Sequence, residues 1–109
     1  MPHYLYQANY TPASMAALIQ APEDRTRIVR AVAEKLGGKL ESCWLAFGDY
    51  DVVLIVQMPN DQTMAAFSMA VSAGGAVARA KTTQLITWDE GLLAMRQAAQ
   101  TGYQPPGRG

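Results

Sequence analysis

The chain contains only one cysteine and one histidine in 109 residues, and this scarcity excludes several kinds of site. A single cysteine, Cys43, permits no internal disulfide, so nothing in the sequence indicates an oxidising compartment. A zinc site needs several cysteines or histidines at short spacing, and His3 and Cys43 cannot supply one. No phosphate-binding loop or dinucleotide fingerprint is present either. We therefore expect no metal and no cofactor.

An excess of charge of one sign and long apolar runs are also lacking. Nine acidic and nine basic residues give a formal net charge of zero, which argues against a nucleic-acid surface. No apolar run approaches the length of a membrane span. The start, Met1-Pro2-His3-Tyr4, does not have the layout of a secretory signal. The default expectation is a cytoplasmic protein with no membrane and no nucleic-acid partner.

Half of the residues are hydrophobic, and their spacing predicts alternating strands and helices. Period-two alternation over His3–Tyr10 places Tyr4, Tyr6, Ala8 and Tyr10 on one strand face. A helix starts at Thr11-Pro12 and is broken at Pro22. It resumes with Glu23 and Asp24 in its first turn and ends at Gly37-Gly38. Further strands are predicted at 39–47, 51–58 and 77–87, with a helix starting at 61 and a last helix after the capping-box spacing Thr87–Glu90.

The order β-α-β-β-α-β-α predicts an α+β fold of the ferredoxin-like βαββαβ type with an extra C-terminal helix. Right-handed crossovers place the two main helices on one face of a four-stranded antiparallel sheet. We expect residues 1–99 to form the domain and residues 100–109 to be a flexible tail.

The third strand is apolar on both of its faces over residues 52–56. In an antiparallel sheet with one face exposed to water, a strand should instead alternate apolar and polar residues. A second copy of the chain is the simplest cover, giving a homodimer in which two sheets stack as a dimeric α/β barrel. Alternatively, the final helix folds back over that face. Residues 62–78 carry no charged side chain, which indicates either a contact surface for a higher oligomer, a partner or a ligand, or merely a small polar surface.

Five short segments, in order along the chain, resemble the GYD-domain family of small bacterial proteins. They are Met1-Pro2-x-Tyr4, Ala21-Pro22, Leu36-Gly37-Gly38-Lys39-Leu40, Gly48-Asp49-Tyr50-Asp51-Val52-Val53 and Pro59-Asn60-Asp61. The resemblance covers about residues 3 to 90, and the name-giving residues correspond to Gly48, Tyr50 and Asp51. It implies a ferredoxin-like fold related to the dimeric α/β-barrel proteins. It implies no established activity and no catalytic residues.

Six residues are candidates for ligand binding: Tyr4, Tyr6, Trp44, Tyr50, Asp51 and Arg79. The aromatic side chains suit a flat organic ligand, but they also suit a core or an interface. Trp44 is predicted to share a strand face with Leu40 and Ser42.

Tyr50 and Asp51 either line a site or serve the turn, in which Gly48 would supply positive φ. Arg79, beside Lys81 on the same strand face, either holds an anion or keeps an edge strand soluble.

Three further residues carry weaker hypotheses. His3 is either a proton shuttle or an ordinary strand residue, and Cys43 is expected to be a small buried residue rather than a reactive thiol. If Met1 is removed, Pro2 at the head of a strand resembles the tautomerase arrangement, in which a secondary amine acts as base.

Two functions from different classes remain open at this point. The first is a homo-oligomeric protein that binds a small organic ligand or a partner. The second is a cofactor-independent enzyme, monooxygenase- or isomerase-like by analogy of fold, with the tautomerase as a minor variant. An enclosed pocket with a titratable group is what the enzyme requires.

Overall fold

The computed structural model describes residues 1–107. The last two residues of the predicted tail, 108 and 109, lie outside the described residues. The elements are β1 (His3–Tyr10), α1 (Pro12–Gln20), α2 (Thr26–Lys35), β2 (Lys39–Leu45), β3 (Val52–Gln57), α3 (Asp61–Ala73), β4 (Val77–Leu85) and α4 (Trp88–Ala99). Neighbouring strands are antiparallel in the order β2-β3-β1-β4. The predicted α+β, ferredoxin-like fold with an extra C-terminal helix is confirmed.

Three of the helices begin with a capping residue, whose side chain accepts a hydrogen bond from a free backbone N–H group in the first turn. The Thr11 hydroxyl accepts from the Ser14 N–H ahead of α1, whose first residue is proline. Asn60 caps α3, and the predicted capping box of α4 forms between Thr87 and Glu90. These caps fix where each helix leaves the sheet.

The predicted helix start at Glu23 is wrong, because α2 begins at Thr26. The Asp24 carboxylate instead accepts a hydrogen bond from the Thr26 N–H at 2.9 Å, an aspartate turn that competes with helix. The Thr26 hydroxyl, and after it this backbone bond, lower the pKa of Asp24. Together with Pro22, the turn gives a non-helical segment between α1 and α2 that borders the cleft described below.

The core lies between the sheet and helices α2 and α3. Tyr4, Tyr6 and Ala8 of β1 are buried as the alternation predicted, and the Tyr6 ring meets Phe67 of α3 edge-on, with centroids 5.4 Å apart at 90°. The remaining buried side chains come from α2, α3, strands β2 and β3, and the residue after β3: Ala33, Leu40, Val52, Leu54, Val56, Met58 and Met64.

The prediction that Trp44 shares a face with Leu40 is wrong. The register between β2 and β3 shifts between Leu40 and Ser42, so Glu41 is an extra residue in the strand. Such a bulge reverses the alternation of side chains beyond it. Leu40 is opposite the buried Val56, whereas Trp44 is opposite Val53 on the other face.

The face of the sheet turned away from helices α1–α3, here called the open face, has an apolar centre. Leu5 of β1 pairs with Ile55 of β3 on this face, and Val53 lies beside them; all three are half-buried. The alternative in which the final helix covers this face is not observed, because α4 has no extensive contact with any strand. The described chain is correspondingly elongated, 61 × 33 × 21 Å. No helix within residues 1–107 is long and apolar enough to cross a membrane.

Candidate functional site

A cleft lies between the helices and the sheet, at the end of β1 where Tyr10 is located. It has an inner chamber of about 250 Å³ between α2, α3 and the sheet. An outer chamber of about 660 Å³ is more open and lies under α1 and the segment 21–25. The two chambers share Tyr10, Arg25 and Val52. The two chambers are therefore neighbours, with Tyr10 between them.

The walls of the cleft are mostly apolar. The inner chamber is lined by aliphatic and aromatic side chains of α2 and α3, among them Val29, Val32, Phe67 and Val71. The outer chamber is lined by apolar side chains from α1 and β2, among them Met15, Leu18, Cys43 and Leu45. An apolar cavity with a few polar groups is the usual form of a small-molecule site.

Tyr10 is the central polar group of the cleft. Its backbone N–H donates to the Asp51 carboxylate at 2.9 Å, so the end of β1 is held in place. Burial raises the pKa of the Tyr10 hydroxyl, against an opposing effect of the nearby Arg25 cation. The hydroxyl, like that of any tyrosine near its ordinary pKa, is protonated at neutral pH and is a potential hydrogen-bond donor to a ligand in the cleft.

Among residues 1–107, Arg25 is the only basic side chain in the cleft lining, but its charge is already compensated. A guanidinium nitrogen lies 2.7 Å from the Glu23 carboxylate, and Asp24 borders the same chamber. The mouth of the cleft thus has two acids and one base. This balance does not favour an anionic ligand over a neutral one.

Tyr6 is the one predicted site residue that lines the cleft. Its side chain is 1% exposed, and its hydroxyl has no hydrogen-bond partner among the described residues. Burial raises the pKa of Tyr6, and the neighbouring Ser68 hydroxyl opposes that shift although it does not reach hydrogen-bond geometry. An unpaired buried hydroxyl is unusual.

Tyr4 lies on the same face as Tyr6 but does not line the cleft. Its ring is buried, while its hydroxyl reaches the edge of the core and donates to the Asp61 carboxylate at the start of α3. Burial and this carboxylate together raise the pKa of Tyr4 to about 12. The contact links β1 to α3 and is structural in character.

Tyr50, Asp51 and Arg79 come together at the turn between β2 and β3. The Arg79 guanidinium lies over the Tyr50 ring, 5.1 Å from its centre. It also faces the Asp49 carbonyl at 3.4 Å, and Asn9 donates to the same carbonyl at 3.0 Å. With the Asp51–Tyr10 bond, these contacts hold the turn against the ends of β1 and β4.

Gly48 does not have the positive φ that was predicted for this turn. No atom lies within 4 Å of the position that a Cβ would occupy there. The turn needs no left-handed residue because side-chain bonds from Asn9, Arg79 and Asp51 hold it instead.

The structure therefore places four of the six candidates on opposite faces of the sheet, while Tyr50 and Asp51 lie at the turn. Trp44 and Arg79 lie on the side of the open face, where Trp44 is 66% exposed. Tyr4 and Tyr6 lie on the helix side. Because the sheet separates them, these residues do not form one pocket.

The other sequence-based candidates also lie apart from one another. His3 is 3.2 Å from the Glu41 carboxylate, and Cys43 is a free, half-buried thiol in the outer chamber. The Pro2 carbonyl accepts from the Met58 N–H at 3.1 Å, at the far end of β1 from Tyr10. No group of three or more potential metal-ligating side chains occurs within residues 1–107.

Sequence reasoning missed two residues of the cleft. Tyr10 was placed on the correct strand face, and its position as the last of the aromatic residues on that face was the available signal. Arg25 follows the Pro22 break and belongs to no motif, so no local signal marks it.

Comparison with known proteins places these observations in a family. A family model described as the GYD domain matches residues 4–95. No curated protein matches the sequence at a significant level.

Similar solved structures share the fold at low sequence identity. The crystal structure of FFRP-DM1 has a TM-score of 0.50 and 13% identity, covering 79% of this chain and 100% of its own. The protein TTHA0845 of Thermus thermophilus has a TM-score of 0.53 and 12% sequence identity, and the match covers 80% of this chain and 95% of that protein. The hypothetical protein PHS023 of Pyrococcus horikoshii has a TM-score of 0.51 and 14% sequence identity, and the match covers 80% of this chain and 92% of that protein.

Proposed function

We propose that this chain, which belongs to the GYD-domain family, forms a homodimer and binds a small, mostly apolar organic molecule in the cleft at Tyr10. The observation that carries the ligand-binding proposal is the cleft itself. Its two chambers adjoin at Tyr10, Arg25 and Val52. The outer chamber, about 660 Å³, lies within the range of roughly 300–1,000 Å³ that is typical of ligand pockets, and the inner chamber, about 250 Å³, adds apolar space beside it.

The chemistry of the lining supports a neutral ligand with one hydrogen-bond acceptor. The walls of the inner chamber offer dispersion contacts and no unpaired charge, because Arg25 is already paired with Glu23. The Tyr10 hydroxyl supplies a donor, since tyrosine is protonated at neutral pH and burial raises its pKa further. A flat molecule with a carbonyl or ether oxygen matches this arrangement.

Binding is tested with N-phenyl-1-naphthylamine, a neutral apolar dye whose fluorescence rises in apolar surroundings. The wild-type protein should bind it with saturable fluorescence. Val29→Phe fills the inner chamber and should weaken binding at least tenfold. Ala31→Phe adds an aromatic ring on the exposed side of the same helix and should leave the affinity unchanged.

If Val29→Phe binds the dye as tightly as the wild type, the cleft is not the site. Native mass spectrometry of freshly purified protein complements the titration, because it reports both the number of copies and any retained small molecule. Retention of a neutral molecule that Val29→Phe loses would support the proposal directly.

The open face supports the homodimer part of the proposal. Leu5, Val53 and Ile55 form its apolar centre and no element of residues 1–107 packs over them. Light scattering at micromolar concentration should give twice the chain mass. Ile55→Glu should give a monomer, whereas Ala31→Glu, on the exposed side of α2, controls for added charge. A monomeric wild type would contradict the dimer.

The uncharged segment 62–78 stays a candidate for higher assembly. It includes α3, whose Met69 is 70% exposed. Native mass spectra with even-numbered species above the dimer, lost in Met69→Lys, would support a contact between dimers there.

A cofactor-independent enzyme is the second candidate, and the titratable Tyr10 hydroxyl inside the cleft favours it. Turnover of a retained molecule that falls in Tyr10→Phe, with binding preserved, would identify it. The tautomerase variant has less support. Pro2 and Tyr10 lie at opposite ends of β1, roughly 25 Å apart at about 3.3 Å per residue, so Pro2 does not share the cleft.

A further inference from the structure

The last helix, α4, has no extensive contact with any other helix or strand of residues 1–107. Residues 86–99, here called the C-terminal arm, consist of Ile86, Thr87 and α4. The arm carries Trp88, Leu92 and Met95 at helical spacings of four and three, which place them on one side of α4. Trp88 is 79% exposed and Met95 55% exposed. An amphipathic helix with a bare apolar side normally packs against a partner.

The charges at the start of the arm match charges on the open face. Asp89 and Glu90 lie in the first turn of α4, and Glu90 serves the cap. On the open face, Arg79 and Lys81 of β4 are opposite Asn9 and Gln7. The only salt bridges within residues 1–107 are His3–Glu41 and Arg25–Glu23, so neither Lys81 nor Asp89 has a partner of opposite charge there.

The exposed apolar area is enough for an interface between two copies. At about 200 Å² for a fully exposed large side chain, the arm side chains Ile86, Trp88, Leu92, Leu93 and Met95 together expose roughly 600 Å². Stable interfaces bury about 800 Å² per partner. The arm side chains supply most of such an area, and the apolar centre of the open face adds to it.

We propose that the arm of each copy packs on the open face of a second copy, with Asp89 beside Lys81 of that copy. The two copies then exchange arms, and each arm lies along the β4 side of its partner's open face, beside the apolar centre that the two sheets bury against each other. The proposal rests on the homodimer proposed above, and it adds that the arm is an essential part of the contact.

Cross-linking of isotope mixtures tests whether the arm crosses between copies. A photo-reactive residue at Leu93 is introduced into both unlabelled and ¹⁵N-labelled protein, and the two are mixed after unfolding and refolding. Cross-links from α4 to strand residues of the opposite label should make up about half of the total, as random pairing requires. Links exclusively within one label would show that the arm folds onto its own sheet and would overturn the exchange.

Charge reversal tests the proposed contact. Asp89→Lys and Lys81→Asp should each raise the dimer dissociation constant at least fivefold, and the double variant should recover most of the loss. Strictly additive effects would refute the pairing. Leu92→Glu should dissociate the dimer, whereas Gln97→Glu, on the opposite side of α4, should not. A stable dimer in Leu92→Glu that Ile55→Glu still dissociates would leave the sheet-face dimer intact and exclude the arm.

Discussion

Replacing Tyr6 by phenylalanine should stabilise the protein, although tyrosine-to-phenylalanine changes in a core usually destabilise it. The Tyr6 hydroxyl is buried and without a partner among residues 1–107. Leaving a polar group buried and unpaired costs about 1–3 kcal/mol. The edge-on contact with Phe67 does not involve the hydroxyl and survives the change. We expect the free energy of unfolding to rise by about 1 kcal/mol.

Tyr4→Phe is the matched control, because it removes a hydroxyl from the same strand face. There the hydroxyl donates to Asp61, and losing a bond to a charged group costs about 1.5–3 kcal/mol. The two variants should therefore move in opposite directions.

Urea unfolding at one protein concentration measures both changes. With a slope of about 1–3 kcal/mol per molar urea, the midpoint should rise by about 0.3–1 M in Tyr6→Phe. It should fall in Tyr4→Phe. A Tyr6→Phe midpoint that falls as far as that of Tyr4→Phe would refute the reasoning, since it would mean that the Tyr6 hydroxyl has a partner. Ser68→Ala then identifies whether Ser68 is that partner.

Further predictions concern the turn, the glycines and the effect of alkali. Gly38→Ala should destabilise the protein by more than about 2 kcal/mol, because the added Cβ would overlap the Gln57 carbonyl oxygen. Gly48→Ala should change the free energy of unfolding by less than about 0.5 kcal/mol. Equal losses of stability in the two variants, measured by thermal unfolding, would contradict this difference. Asp51→Ala should cost about 1–2 kcal/mol by leaving the Tyr10 N–H unpaired, while Asp51→Asn, which keeps an acceptor, should cost less in the same assay. The pKa of Tyr4 is raised in the folded state from 10.0 to about 12, so its contribution to stability is complete below pH 10 and is lost as the pH rises towards 12. In urea unfolding at a series of pH values, the free energy of unfolding should therefore fall less steeply at alkaline pH in Tyr4→Phe than in the wild type. Parallel curves for the two proteins would show that Tyr4 is not the cause of the alkaline loss of stability.

The sequence predicted the order of elements because each boundary carries its own local chemistry. Thr11-Pro12, Gly37 and the capping box at Thr87 act within a few residues and need no tertiary context. The buried face of β1 followed from period-two alternation alone. These signals depend only on residues close in sequence, and the corresponding caps, helix end and buried strand face are all present in the structure.

The errors arose where a local pattern met a longer-range constraint. The bulge at Glu41 reverses the face of Trp44, and no composition signal reveals an extra residue in a strand. The segment before α2 looked helical from its acidic residues, but Asp24 uses its carboxylate for a turn.

The cleft itself was less predictable than the fold. It requires α1, α2, α3 and the sheet to leave a space together, and sequence periodicity reports which side chains face inward but not how completely they fill the interior. Tyr6 was identified from its strand face. Arg25 was not, because its role depends on where the chain passes after Pro22.

The extra residue in β2 also bears on how the protein behaves at high concentration. β2 is an outer strand of the sheet, and its end carries the exposed apolar residues Trp44 and Leu45, followed by Phe47. A regular outer strand of this composition would invite strands from other molecules. The irregularity at Glu41 breaks the even row of backbone donors and acceptors that such a strand would need. The edge strand β2 thus exposes apolar side chains, while its irregular backbone disfavours the addition of further strands and the formation of fibrils.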